Sequence, residues 1–181
     1  MKKYCVIGSG RQGTAAAYDI IKYGEPESLT IIDSSEQNLT KCKSKIQALT
    51  NFEISTVKLD IMNEDLLINE LLDIDIFLSS VPYSFNLYLT DIAIKSKTSM
   101  VDLGGHTKNV IKQLSYHEEA VENDITIVPD CGMGPGMNVT MALLAMEQFD
   151  IPKDVFIWDG GLPQNPIPPW NYSLFFNIQG L

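Results

Sequence analysis

The segment Gly8-Ser9-Gly10-Arg11-Gln12-Gly13 constrains this chain more than any other. It follows a short apolar run, Tyr4–Ile7, and opens a stretch of helical character from about Gly10 to Tyr23. Gly24 and then Pro26 end that helix. Strand, G-x-G-x-x-G and helix form the opening of a βαβ unit. Gly8 permits the tight turn, Gly10 lets a ligand approach the backbone, and Gly13 lets the helix pack close to the strand. The free N–H groups and positive dipole end of the helix favour a pyrophosphate. Asp33 lies twenty residues after Gly13, at the end of the next strand, and is an independent part of the same pattern. Gly8, Ser9, Gly10, Arg11, Gln12 and Gly13 are therefore the expected dinucleotide cradle, with Asp33 and Ser34 at the adenosine ribose. An aspartate there accepts hydrogen bonds from a ribose diol and repels a 2′-phosphate. Ser34 and Ser35 add no positive charge, so NAD is expected over NADP, although Lys41, Lys43 and Lys45 lie on the following helix. Asp33 also reads as a helix-capping carboxylate, which is compatible with that role.

The rest of the chain repeats the alternation. Leu29–Ile32 reads as the second strand, and Ser34 with Gln37 as a capping box. The helix after it carries Leu39, Cys42, Ile46 and Leu49 on one stripe. Ile54–Leu59, Ile76–Val81, Ser99–Leu103 and Ile125–Val128 read as further strands, and Pro82 ends the second of these by forcing Val81 extended. Helices are expected with Leu67 and Leu71, over about Phe85 to Lys95, over about Lys108 to Glu122, and over about Asn138–Phe149. In the third of these, Val110, Leu114, His117 and Val121 fall on one stripe, which makes His117 a half-buried packing residue. Strands alternating with helices predict an α/β Rossmann fold: a doubly wound, mostly parallel sheet of order 3-2-1-4-5-6, covered on both faces. After Asp150 the character changes. Val155–Trp158 and Tyr172–Ile178 read as strands around a proline-rich run from Pro163 to Pro169, and the chain stops at Leu181 without a closing element. The expected division is a dinucleotide-binding domain over 1–150 and, over 151–181, the start of a second α/β domain that is cut off.

Composition narrows the partners. The chain has 181 residues and a formal net charge of −10, which leaves no basic surface for nucleic acid. No apolar run approaches the ~20 residues of a membrane span. Three scattered cysteines suit a reducing cytoplasm, and two histidines without ligand spacing give no metal site. Arg11 is the only arginine. A substrate carboxylate must then be met by lysines, backbone amides or residues outside this chain.

Strand ends supply the other candidates. Asp60 and Ile61 fall where an adenine ring rests in such sheets, or are a turn aspartate and a core isoleucine. Ser80, Val81 and Pro82 end the fourth strand, on the side that meets the ribose and nicotinamide. Tyr83 beside them either moves a proton or walls the pocket. His106, beyond the fifth strand, stands where a general base is useful, or is an exposed loop histidine. Asp102 either orients its imidazole or is a strand-end carboxylate. Cys131, directly before the glycine-rich loop Gly132–Gly136, is either a reactive thiol or a small packing residue.

Val81-Pro82-Tyr83-Ser84-Phe85-Asn86, Val101–Thr107 with its Asp-Leu-Gly-Gly, Pro129–Met137, and Asp159-Gly160-Gly161-Leu162-Pro163 with Pro168-Pro169 carry a resemblance. The chain resembles the saccharopine dehydrogenase-like family, which includes saccharopine reductases, lysine 6-dehydrogenases and carboxynorspermidine dehydrogenases. The lysine-dehydrogenase branch looks nearer, because Asp102-Leu103-Gly104-Gly105-His106-Thr107 and the Gly160-Gly161-Leu162-Pro163 tail resemble it, and Gly134, where saccharopine reductases often carry an aspartate, speaks against saccharopine as substrate. The resemblance implies a nicotinamide-dependent oxidoreductase acting on a carbon–nitrogen bond of an amino acid such as lysine, with hydride transfer leaving an imine. It implies a base, for which His106 ranks before Tyr83 and Asp102. It also implies a larger second domain, so this chain alone is expected to bind NAD weakly and not to turn over substrate. A nucleotide-sensing regulatory module without catalysis is the competing expectation. The apolar tail, with Trp170, suggests a homodimer.

Overall fold

The computed structural model describes residues 1–158. The chain divides into two compact units, Met1–Met137 and Asn138–Leu181.

The first unit alternates strand and helix throughout. Its elements are β1 (Lys3–Ile7), α1 (Arg11–Tyr23), β2 (Ser28–Asp33), α2 (Glu36–Leu49), β3 (Ser55–Lys58), α3 (Glu64–Leu71) and β4 (Ile76–Ser79). A 3₁₀ turn (Tyr83–Phe85) follows, then α4 (Asn86–Ser96), β5 (Ser99–Asp102), α5 (Thr107–Leu114), α6 (His117–Glu122) and β6 (Ile127–Val128). The six strands form one sheet of order β3-β2-β1-β4-β5-β6, and every pairing is parallel. The fold is the expected α/β Rossmann arrangement. Strand order reverses between β1 and β4, so a crevice opens beyond their carboxyl ends, where ligands bind in such sheets.

Two apolar layers hold the sheet. On one face Ile7, Ile32, Phe77 and Met100 pack with Leu67, Leu71, Leu89 and Ile92 from α3 and α4. On the other, Val6, Leu29 and Ile31 pack with Ala17, Leu39, Cys42 and Ile46 from α1 and α2. Burial pushes the Cys5 thiol far up from its ordinary pKa, so it stays protonated as a small apolar core residue.

Several local expectations are corrected. The cap of α2 is Ser35, whose hydroxyl accepts the Asn38 amide at 3.3 Å, one residue later than Ser34. Asp33 takes the Ser35 amide at 2.8 Å, which delays the helix by that residue. The helix expected over Lys108–Glu122 is broken in two. Ser115 turns both its amide (3.1 Å) and its hydroxyl (2.7 Å) onto the Lys112 carbonyl, and the tight turn ends α5. The expected apolar stripe is also turned away from the core. Leu114 and Val121 are 61% and 65% exposed, and His117 is exposed, whereas Gln113 and Ala120 are buried. Val155–Trp158 has no strand pairing. The strand expected over Tyr172–Ile178 lies outside the described residues.

In the second unit, α7 (Met137–Met146) continues from the last residue of the first, and its apolar side chains are spread around the helix. Among the described residues no helix is long and apolar enough to cross a membrane, and no group of His, Cys, Asp and Glu could hold a metal ion.

Candidate functional site

The glycine loop is built by contacts across the switch point. Gly8 has φ +100, a left-handed conformation that a side chain would strain, and its amide donates to the Ile32 carbonyl at 2.8 Å. Ser80, after β4, donates its hydroxyl to the carbonyls of Ile7 (2.9 Å) and Gly8 (2.7 Å). A Cβ on Gly13 would run into Gly8 O and Ser80 Oγ, so only glycine lets α1 start this close to the turn. A Cβ on Gly10 would meet nothing within 4 Å. Open space beside the amino end of α1, with Arg11 and Gln12 exposed there, fits a pyrophosphate.

Asp33 closes the loop from the end of β2. Its Oδ2 accepts the Ser9 amide and the Ser9 hydroxyl, each at 2.7 Å, and its Oδ1 accepts the Ser35 amide. Ser9 is buried, so its hydroxyl fixes the loop to the carboxylate. Beside this pair lies a cavity of about 180 Å³. Gly8, Asp33, Ser34, Asp60, Ile61 and Val81, all expected site residues, line it together with Ile32 and Phe85. A polar lip of Asp33 and Ser34 against an apolar floor suits a ribose with a flat ring beyond it. Tyr88 of α4 donates its hydroxyl to the Ile61 carbonyl at 2.8 Å and so fixes one wall. Burial, with Glu64 nearby, pushes the Tyr88 phenol up and keeps it a donor.

The candidate catalytic residues lie at the ends of β4 and β5. The rings of Tyr83 and His106 stack, with centroids 5.4 Å apart and planes within 4°. Tyr83 is half-buried and His106 exposed. Asn109 of α5 donates to the Tyr83 carbonyl at 2.9 Å and ties the two loops together. Asp102 is placed differently from the expected partner of the imidazole. It is fully buried. Its Oδ1 accepts the amides of Gly104 (2.7 Å) and Asp130 (3.2 Å), and its Oδ2 accepts the Gln113 side-chain amide at 2.7 Å. Asp102 therefore organises backbone and does not reach His106. Ser80 likewise holds the glycine turn, and Pro82 is exposed at the start of the 3₁₀ turn, where its carbonyl accepts the Phe85 amide at 3.0 Å. Burial and the carboxylates of Asp102 and Asp130 push the Cys131 thiol up, which disfavours the reactive thiolate.

Sequence reasoning missed Phe85, Tyr88, Asn109 and Gln113. Phe85 lies two residues after Tyr83 of the Val-Pro-Tyr segment, which is a usable signal. The others act through partners 11 to 27 residues away in sequence, which no local pattern reveals.

A sequence model described as "Saccharopine dehydrogenase NADP binding domain" matches residues 4–128. Saccharopine dehydrogenase [NADP(+), L-glutamate-forming] from Saccharomyces cerevisiae is 24% identical over 131 residues, which cover 69% of this chain and 29% of that protein. The chain thus spans less than a third of this curated relative. The apo structure of the saccharopine dehydrogenase (L-Glu forming) from Saccharomyces cerevisiae superposes with a TM-score of 0.64 at 21% identity, covering 82% of this chain and 31% of that one. GenD2 from gentamicin A biosynthesis, in complex with NAD, gives a TM-score of 0.58 at 12% identity over 82% of this chain and 39% of its own. A probable dehydrogenase from Thermotoga maritima gives 0.58 at 19% identity over 81% and 41%. These structural likenesses establish the fold.

Proposed function

The chain belongs to the saccharopine dehydrogenase NADP-binding domain family, and from that premise we propose that it is the cofactor-binding portion of an oxidoreductase that acts on a carbon–nitrogen bond of an amino acid such as lysine. The observation that carries the reading is the cavity beside Gly8, Asp33, Asp60 and Val81, at the carboxyl ends of parallel strands next to the switch point. A nicotinamide dinucleotide held there would supply the acceptor for a hydride from the amine-bearing carbon, leaving an imine for water to hydrolyse. The protein's part is positional. The glycine loop and the amino end of α1 hold the pyrophosphate, and Asp33 with Ser34 holds the ribose. Tyr83 walls the site beyond β4, and His106, stacked on it, takes the proton released from amine or water.

Asp33 favours NAD over NADP, although the family description names NADP. Its carboxylate already accepts three hydrogen bonds, and a 2′-phosphate brought to it would meet negative charge with only serines beside it. Calorimetric titration of the chain with NAD, NADH, NADP and NADPH tests the reading. Binding of NAD or NADH in preference to the phosphorylated pair supports it. Absence of binding by all four overturns it, and tighter binding of NADP overturns the cofactor assignment. With the longer polypeptide, production of NADH on addition of L-lysine tests the substrate class.

A further inference from the structure

We propose that Gln113 is a positioning residue: through the buried carboxylate of Asp102 it sets the loop that carries His106, and with it the stack of His106 on Tyr83. The proposal rests on the reading of Tyr83 and His106 as the substrate-facing pair.

Glutamine is an unusual choice for an inward helix position, because an amide buried without hydrogen-bond partners is costly. Gln113 is only 3% exposed, on the face of α5 that meets the sheet. Its Nε2 donates to Asp102 Oδ2 at 2.7 Å and to Thr90 Oγ1 at 3.1 Å. Thr90 passes the chain on, donating to the Asn86 carbonyl at 2.8 Å. The other oxygen of Asp102 holds the amides of Gly104 and Asp130, and its carbonyl accepts the Cys131 amide at 2.8 Å. The side chain of Asp130 then reaches back to the Gly105 amide at 3.3 Å. Two carboxylates thus grip Gly104 and Gly105, the residues directly before His106. Gly104 has φ +71, a conformation that glycine adopts readily and a residue with a side chain does not.

The orientation of Gln113 shows what selects it. Turning the amide over would set Oε1 against a carboxylate oxygen, acceptor against acceptor. In the observed orientation Gln113 Oε1 has no hydrogen-bond partner, and no other side-chain polar atom among the described residues is so buried and unpaired. That unpaired oxygen is the consequence of presenting both N–H groups to Asp102 and Thr90. A residue that merely filled space would be apolar here.

The test exchanges the pair in the 181-residue chain and reads the two histidine Hε1 signals by NMR at a pH where both rings are neutral. The His106 signal is expected to carry a ring-current displacement from the stacked Tyr83 that Tyr83→Leu abolishes, and exposed His117 is the internal reference. Gln113→Glu sets a second carboxylate against Asp102. The His106 signal is expected to lose its displacement while His117 stays put. The double variant Asp102→Asn with Gln113→Glu restores a complementary pair, because the asparagine Oδ1 still accepts Gly104 and Asp130 and its Nδ2 donates to the glutamate. Return of the His106 displacement supports the proposal, including where Gln113→Glu alone fails to fold. An unchanged His106 signal in folded Gln113→Glu overturns it, as does a double variant that does not recover. Nucleotide titration of the same samples separates the two claims: loss of the stack with NAD binding intact concerns positioning, and absent NAD binding with an intact stack concerns the proposed function.

Discussion

Asp33 receives both the amide and the hydroxyl of Ser9, each at 2.7 Å, so one carboxylate fixes the glycine loop and faces the cavity where a ribose would rest. Replacing it should therefore do two separable things. Asp33→Ser loosens the loop for every dinucleotide and removes the charge that discriminates between them. NAD affinity should fall roughly tenfold or more, since hydrogen bonds to a charged group contribute about 1.5–3 kcal/mol. NADP affinity should fall less, because the repulsion of its phosphate goes too. The ratio of the two dissociation constants, from calorimetry, isolates the charge. A ratio unchanged by the substitution would remove Asp33 from cofactor selection.

The two inner glycines separate packing from binding. Gly13→Ala drives a methyl group into Gly8 O and Ser80 Oγ, and overpacking of this kind costs about 1–3 kcal/mol. Its urea midpoint should drop. Gly10→Ala meets open space, so its midpoint should match wild type while its nucleotide affinity declines. A Gly10→Ala variant that keeps wild-type nucleotide affinity would show that the space beside Gly10 has no ligand role.

What could be read from the sequence was what depends on near neighbours. Strand order followed from the alternation of elements, and the loop Gly8–Gly13 with Asp33 followed from spacing. Errors arose where a side-chain hydrogen bond decided the outcome. The cap moved from Ser34 to Ser35 because Asp33 claims the Ser35 amide. Gln113 turned inward, and Leu114 outward, because Asp102 at the end of β5 and Thr90 on α4 both accept its side-chain amide. Position at the end of β5 makes Asp102 a partner for His106, but its carboxylate is taken up by the amides of Gly104 and Asp130. Tyr83 and His106 were named separately; their stacking depends on two loops meeting.

Acid sensitivity should be traceable to Asp75 at the opposite end of the sheet. The Lys3 amide at 2.7 Å, then the Lys2 ammonium at 3.1 Å, hold its carboxyl below the ordinary value. A depressed folded pKa means stability that is present above the unfolded value, about 3.9, and lost as pH falls through the folded one. Asp75→Asn should flatten the dependence of the urea midpoint on pH below about 4. The contribution is small, since the group is exposed to solvent and screened. Parallel wild-type and variant curves through that range would count against it.

Ser80 decides whether the end of β4 contacts the cofactor or supports the loop that does. Its hydroxyl donates to Ile7 and Gly8, and its amide also donates to the Ile7 carbonyl at 2.8 Å. In Ser80→Ala the Ile7 carbonyl keeps that amide, and only Gly8 O loses a partner. The stability loss should therefore be near a single net hydrogen bond, about 1 kcal/mol, and lower Tm by about 2–4 °C in a chain of this size. Saturating NAD should recover most of the lost Tm, because a ligand that binds only the folded loop stabilises it by mass action. Affinity should weaken only modestly, and less than in Gly10→Ala, where the added methyl group enters the open space beside α1. Thermal melts with and without NAD check both parts. A Ser80→Ala variant with wild-type Tm and abolished NAD binding would instead make Ser80 a direct ligand contact.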